Sequence, residues 1–302
     1  MRIVPYDEMV DPHDFLQLMM AGFWWQVTPE RVAEIRRIDP RFREPYGFGA
    51  YVGRTLAGFV GTIDLLVRTR DGRTETALGI HHVATRPEFC RQGIAIRLFE
   101  HVHNVYRKRG CRFSFLNTAR TLVAWSLYRK LGYADLSRPQ GASLLLPKAK
   151  ASKRKASTTA ADLHRVETMF ESVMRGRPGV TVRLPGWPRS RLRRWRLKPA
   201  SLIVERDGYA FTEPEKDGIW MGELVADSRA AIDRILDRVM AQGKRIITVS
   251  DADDPVLKSA LRERGFAFSP RSHGSLMAKP LGSTPLHTAF GPRFYYSAVD
   301  SF

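Results

Sequence analysis

The same succession of elements occurs twice in this chain, and a repeat of that kind fixes the plan of a fold before any single residue is weighed. In the first half, a helical pattern on Ile94, Leu98, Val102 and Val105 runs to Gly110, followed by a strand CRFSFL, a second helix and Gly132-Tyr133. In the second half, Ile232, Ile235 and Val239 run to Gly243, followed by a strand KRIITVS, a second helix and Gly265-Phe266. Both glycine pairs are 22 residues apart. A final strand closes each copy, SLLLP from Ser143 and SLMAKP from Ser275. Upstream, AYVGRTLAGFVGTIDLLV at 50–67 and ALGIHHVAT at 77–85 read as strands around a turn at Arg70 to Arg73, and SLIVERDGYAFTE with IWMGELVA at 219–226 mirrors them. Interleaved strands and helices in both halves predict a mixed α/β (α+β) architecture of two similar domains.

The boundary falls in AKASKRKASTTAA at 149–161, which has no large apolar side chain and cannot bury enough surface to stay folded. The expected organisation is therefore a first domain at 1–147, a basic linker at 148–161, a second domain at 162–281 and a tail at 282–302. The tail is aromatic-rich, so it is expected to pack onto one domain. With 302 residues and 43% apolar content, two ordinary cores are affordable, and a disordered or disulfide-stapled chain is excluded. Cys90 and Cys111 lack the number and spacing of a disulfide framework or a zinc site. No apolar run reaches the roughly 18–20 residues needed to span a bilayer, and the N-terminus lacks a signal-peptide layout, so a cytoplasmic protein with no membrane partner is expected.

The formal charge is +18, and it is concentrated. Residues 148–155 carry five cations and no acid, and residues 172–204 carry nine cations and no acid, including Arg189, Arg191, Arg193, Arg194 and Arg196 around Trp195. This segment is either a solvated basic face or a surface for nucleic acid or an acidic protein, with Trp195 able to stack on a base.

The most informative stretch is Val83 to Ala95. A β-type run ends in a turn where Gly93 and Ala95 open an amphipathic helix. The unpaired amides and positive dipole end of such a helix face one point, and small side chains let an anion approach the backbone, with Arg91 and Gln92 as added donors. By itself this is equally an ordinary tight strand-to-helix connection.

Residues 80–136 resemble the GNAT superfamily of acyl-CoA-dependent N-acyltransferases. Thr85-Arg86-Pro87-Glu88-Phe89-Cys90-Arg91-Gln92-Gly93-Ile94-Ala95 is similar to its signature turn, with Cys90 where the family usually carries Arg or Gln. Asn117, Ala124, Leu127, Tyr128, Lys130, Gly132 and Tyr133 are similar to its second signature, in the right order and spacing. The resemblance implies two GNAT-like domains, the second diverged. It also implies an acyl-CoA co-substrate, most simply acetyl-CoA, an amine acceptor and no metal. The pyrophosphate would rest on the backbone of Arg91, Gln92, Gly93, Ile94 and Ala95, the pantetheine arm along Val83 and Thr85, and Asn117 would be a cofactor or water ligand or a cap for the following helix. Tyr128, on the family's general-acid position, would protonate the leaving thiolate, the alternative being a half-buried structural tyrosine.

For the base, His81 and His82 offer neutral imidazoles, expected on opposite faces because strand periodicity is two. His81 shares parity with Val83 and Thr85 and lies twelve positions before Gly93, where one superfamily member places a catalytic histidine. Asp300 and the carboxylate of Phe302 are the other acceptors, as in some tandem relatives. Glu75 is expected in solvent. In the second half, Leu261 stands where Tyr128 does, and Asp227-Ser228-Arg229 replaces the glycine turn, so a pyrophosphate is disfavoured there.

Overall fold

A computed structural model describes residues 1–9, 11–137, 140–147, 160–270 and 274–301. Most of the linker at 148–161, and Phe302 with its carboxylate, lie outside the described residues. Fourteen strands are present among those described: β1 (Arg2–Pro5), β2 (Gly47–Val52), β3 (Thr55–Arg68), β4 (Thr74–Thr85), β5 (Phe113–Thr118), β6 (Ala134–Ser137), β7 (Gln140–Leu145), β8 (Val180–Val182), β9 (Leu202–Val204), β10 (Gly208–Pro214), β11 (Gly218–Ala226), β12 (Ile246–Val249), β13 (Ala267–Pro270) and β14 (Ser275–Pro280). The helices are α1 (Pro12–Phe23), α2 (Pro29–Ile38), α3 (Ile94–Lys108), α4 (Val123–Lys130), α5 (Ala160–Met174), α6 (Trp187–Arg194), α7 (Arg229–Met240), α8 (Pro255–Glu263) and α9 (Leu286–Phe290).

The repeat read from the sequence is the repeat of the fold. Gly110 and Gly132 follow α3 and α4, Gly243 and Gly265 follow α7 and α8, and all four take left-handed φ values of 86°, 90°, 71° and 80°. Only glycine adopts that conformation at no steric cost, so the 22-residue spacing measures one helix end to the next. The equivalence extends to single bonds: Tyr133 N–H donates to the Tyr128 carbonyl at 3.0 Å and Phe266 N–H to the Leu261 carbonyl at 3.1 Å. The stretch at 50–67 differs from its reading as one strand. It holds a hairpin, β2 and β3, broken where Gly53 adopts a φ of 60°.

The two halves are not sealed units. The first sheet runs β1-β2-β3-β4-β5-β14-β6, with β8 also pairing β3, and the second runs β13-β7-β12-β11-β10-β9. β14, from the second half of the chain, therefore sits between β5 and β6, and β7, from the first half, sits between β12 and β13. Each half gives one strand to the other. One face of the first sheet packs α1 and α2 through Phe15, Leu18, Met19, Val32 and Ile35, and the other packs α3 and α4 through Leu98, Phe99, Val102 and Tyr128. The second sheet has the same layering, with α7 and α8 on one face and α5 and α6 on the other.

The tail serves both cores rather than one. Phe290 packs on Phe113 at 4.7 Å between ring centroids and Phe294 on Phe115 at 5.3 Å, whereas Val299 is buried with the residues of α5 and α6. Its Asp300 is fully buried and bridged to Arg183, so it is a structural ion-pair partner.

Candidate functional site

The start of α3 is open. None of the six backbone N–H groups from Arg91 to Ile96 has a hydrogen-bond partner among the described residues, and the first engaged amide is that of Arg97, on the Gly93 carbonyl at 3.0 Å. The reason is local. Gly93 is the N-cap, with a φ of 76° and no side chain to fold back on the helix, and Arg91 is also left-handed at 60°. A Cβ built on Gly93 would meet nothing within 4 Å, so no side chain plugs the mouth. Arg91, Gln92 and Cys90 are exposed around it, Gln92 turning its amide to the Glu88 carbonyl at 3.0 Å, while Ile94 is buried and anchors the helix to the core. Six free donors at a positive dipole end make an anion site.

The strand leading into this turn has a free edge. β4 pairs β5 in parallel only over Leu78–Ile80, so the two strands splay beyond Ile80 and leave residues 81–85 unpaired on that side. Arg86 N–H donates to the Ala57 carbonyl on β3, and by strand alternation the main-chain groups of Val83 and Thr85 then point to the open side. Both residues thus offer unused donors and acceptors to an extended chain, as in strand addition.

A bulge alters the histidine pair. The β3–β4 register shifts opposite Phe59 and Gly61, and His82 adopts a φ of 46°. An extra residue resets the alternation, so His81 and His82, expected on opposite faces, stand in hydrogen-bond contact through their Nδ1 atoms with ring centroids 4.5 Å apart. His81 is buried against Phe42 and Tyr46, and its Nε2 lies 3.1 Å from the Thr62 carbonyl. The ring also rests on Gly61, where any Cβ would fall 2.3 Å from it. Because that carbonyl only accepts, His81 Nε2 carries the hydrogen and His81 Nδ1 accepts from His82 Nδ1–H. This leaves the lone pair of His82 on Nε2. Burial holds both rings neutral, pushing His81 well below its ordinary value and His82 down to about 3, with the Arg194 charge adding to the effect. His82, half-buried, is bordered by Trp25 at 4.5 Å, Phe23 at 6.2 Å and Tyr46 at 6.4 Å between centroids. The run of aromatics at 23–25, where Trp24 is 87% exposed, is the signal that sequence reading passed over.

Tyr128 stands on α4, the helix that follows β5. It is the buried residue of α4, beside Phe99 and Tyr133, whereas Val123 is exposed. Its hydroxyl has no partner among the described residues and is not sealed from solvent, and burial pushes its pKa up to about 12. It is therefore a protonated donor at neutral pH. Asn117 pairs with Leu276 of β14 at the end of β5, half-buried, and the N-cap of α4 is Leu122, so Asn117 does not cap that helix. Glu75, expected in solvent, forms a two-pronged pair with Arg112 at 2.7 and 2.8 Å.

The basic segment at 172–204 is only partly a surface. Arg191 and Arg194 bind Asp39, itself held by Arg41, and Arg183 binds Glu223 and Asp300 while its guanidinium lies 3.6 and 3.7 Å from the ring centres of Trp187 and Phe170. Trp195, expected to be free for stacking, faces Trp220 at 6.4 Å. Arg191 and Arg194 thus tie the second half to Asp39 of the first, whereas Arg183 is bound within the second. Among the described residues there is no group of three side chains able to hold a metal, and no helix is long and apolar enough to cross a membrane.

Residues 9–135, which hold the free-amide helix mouth, the splayed strand and Tyr128, match the family model described as acetyltransferase (GNAT) domain. The chain carries a GNAT domain. No curated protein matches the chain at a significant level. Among solved structures, a GCN5-related N-acetyltransferase from Kribbella flavida is 20% identical, covers 92% of this chain and 70% of its own, and superposes with a TM-score of 0.67. Eis1 from Mycobacterium abscessus is 15% identical over 93% of this chain and 74% of its own, at 0.65, and a GCN5-related N-acetyltransferase from Anabaena variabilis is 15% identical over 93% and 73%, at 0.67. These likenesses extend the GNAT-like fold over both sheets, and the match of residues 9–135 to the acetyltransferase (GNAT) domain supports acyl transfer as the general chemistry.

Proposed function

We propose that this protein transfers an acyl group, most simply acetyl, from acyl-CoA to an amine by direct attack in a ternary complex. The single observation that carries the reading is the row of six unpartnered amides at Arg91–Ile96, a ready seat for the CoA pyrophosphate. Val83 and Thr85 would hydrogen-bond the pantetheine arm along the free edge of β4, and Asn117 lies at the end of β5, one residue past the last β4–β5 pair. Cys90 does not weaken this reading, because the donors are backbone groups.

The amine nitrogen would add to the thioester carbonyl, and the carbon–sulfur bond would then break. Tyr128 is suited to give its proton to the departing thiolate, being neutral and without another partner. The amine must lose a proton, and the lone pair on His82 Nε2 is a candidate acceptor. His81 would then act as the positioning residue that fixes the tautomer through Thr62. The aromatic border of Phe23, Trp25 and Tyr46 favours an acceptor with an apolar body. Holding the reactants together supplies much of the rate, as in any ternary-complex mechanism. The second half is read as a diverged GNAT-like domain that completes the fold and the acceptor side without binding CoA. The alternative of nucleic-acid binding at 172–204 has lost Arg183, Arg191 and Arg194 to internal ion pairs.

The test is a panel of acyl-CoA species in thermal-shift and steady-state assays with amine acceptors. A ligand that binds the folded state raises its melting temperature, and the expected result is a shift with acetyl-CoA that is retained in Tyr128→Phe while turnover is lost. Absence of any shift with every CoA species overturns the reading.

A further inference from the structure

We infer that the cleft between α2 and α6 is a binding site for a small oxyanion, the phosphate or carboxylate of a ligand distinct from CoA. A cavity of about 300 Å³ lies there, walled by Arg37, Asp39 and Arg41 on one side and by Arg189, Ser190 and Arg193 on the other. It is formed by both halves of the chain, and it is separate from the α3 mouth and the histidine pair, so the inference does not depend on the acyl-transfer reading.

Charge accounting points to an anion. Asp39, 1% exposed, is the only acid lining the cleft, and it is already shared by the guanidiniums of Arg41, Arg191 and Arg194. Counting the adjoining pairs as well, four buried guanidiniums (those three and Arg183) face three buried carboxylates, Asp39, Glu223 and Asp300. Among the described residues this set holds one cation in excess, and of its members Arg41 and Asp39 line the cleft. Arg37, Arg189 and Arg193 then add three exposed guanidiniums, of which Arg37 is near Glu34 on its own helix and the other two have no ion pair among the described residues. Arg191 is fully buried, and its Nε has no partner. The arginines that line the cavity are Arg37, Arg41, Arg189 and Arg193, and planar guanidiniums around one cavity match the two-pronged geometry of carboxylate and phosphate oxygens.

The backbone adds little: Gly186 caps α6 without a side chain, but its own N–H is taken by Glu167 at 2.8 Å, the Trp187 N–H is taken by the Leu184 carbonyl at 3.1 Å, and Pro188 has none. Glu167 does not line the cleft. The opposite wall is the end of α2, where Arg36 and Arg37 offset the negative pole of that helix.

The experiment is a titration of the full chain with sodium phosphate and, separately, sodium acetate, at ionic strength held constant with sodium chloride, read as melting temperature and by calorimetry. The parent should show a saturable rise with at least one of the two anions. In Arg189→Ala/Arg193→Ala that rise should disappear while the shift with acetyl-CoA is kept, because neither residue touches the α3 mouth. A response to phosphate alone assigns a phosphate ligand, and an equal response to acetate assigns a carboxylate. Should the alanine pair fail to fold, Arg189→Lys/Arg193→Lys keeps the charge and removes the fork, and its apparent Kd should rise several-fold. The inference is overturned by a response no larger than that to chloride, or by one that persists unchanged in the folded double variant.

Discussion

The mouths of α3 and α7 occupy the same place in two copies of one plan and have opposite chemistry. Both follow a strand that splays from its parallel neighbour, β4 beyond Ile80 and β11 beyond Met221. At α3 the cap is a glycine with no side chain, and six amides are left free. At α7 the cap is Ser228, whose hydroxyl accepts from the Ala231 N–H at 3.3 Å, and the preceding Asp227 gives its own N–H to the Asp207 carbonyl. One helix start is left for a ligand and the other is closed by the protein. The sheets, helix ends and layering survive in both halves because packing enforces them. The proposed cofactor seat depends on a few turn residues that packing does not enforce, so it can be lost without losing the fold.

The largest expected break in this comparison is at the paired positions Tyr128 and Leu261. Tyr128→Phe removes a proton donor and should lower kcat by roughly 10²- to 10⁴-fold with little change in stability or in acyl-CoA affinity. Leu261→Ala, at the equivalent and fully buried position in α8, should lower stability by about 2–5 kcal/mol. Steady-state kinetics and denaturant unfolding on both variants separate these outcomes, and similar loss of turnover in a folded Leu261→Ala would place catalysis across both units.

What the sequence made legible follows the same line. The repeat and the turn could be read because glycine positions and apolar spacing are local signals, and the four helix-end glycines have the left-handed backbone they imply. The exchange of β7 and β14 could not be read, because SLLLP and SLMAKP each fit either sheet by pattern and only the tertiary arrangement selects the partner. The contact between His81 and His82 was hidden by a bulge, which breaks the period-two rule at the one place where it mattered. The burial of Arg191 and Arg194 depends on Asp39, far away in the chain, so a run of cations looked like a surface.

The second break is at the mouths themselves. Gly93→Asp forces a non-glycine residue into the left-handed region, at roughly 1–2 kcal/mol, and sets a carboxylate among the free amides. Acyl-CoA Kd should rise by roughly 10- to 100-fold, measured by calorimetry. The reciprocal Asp227→Gly/Ser228→Gly should gain no CoA affinity, since the remaining signature residues are absent there. A measurable gain would show that the turn alone is sufficient.

Acid sensitivity should also divide the halves. His81, His82 and His103 are held neutral by burial, the last two down to about 3, whereas the described histidines of the second half, His164 and His287, are exposed. A depressed histidine stabilises the fold fully above its unfolded value of about 6.5. As pH falls below that, the unfolded chain takes up protons that the folded chain refuses, and each such group then removes up to about 1.4 kcal/mol per pH unit until its folded value is reached. Hydrogen exchange at pH 5 should therefore show β4 and α3 opening before α7 and β12. Equal acceleration in both halves would contradict the assignment.

The smallest effect sharpens the comparison most directly, because it asks whether closure of the α7 mouth contributes to stability at all. Ser228→Ala removes the one side-chain acceptor at that helix start and should cost about 1 kcal/mol, within the range of 0.5–2 for lost caps. The same logic gives no such loss at α3, where Gly93 supplies no side-chain bond, and Gly93→Ala should instead cost through its backbone, because its φ of 76° is unfavourable to any residue with a Cβ. Saturating acetyl-CoA distinguishes the two cases. It should stabilise the parent and Ser228→Ala by the same increment and Gly93→Ala by less, because only the α3 mouth exchanges its unsatisfied amides for ligand oxygens. An equal increment in all three would mean that the six free donors are not where the cofactor binds.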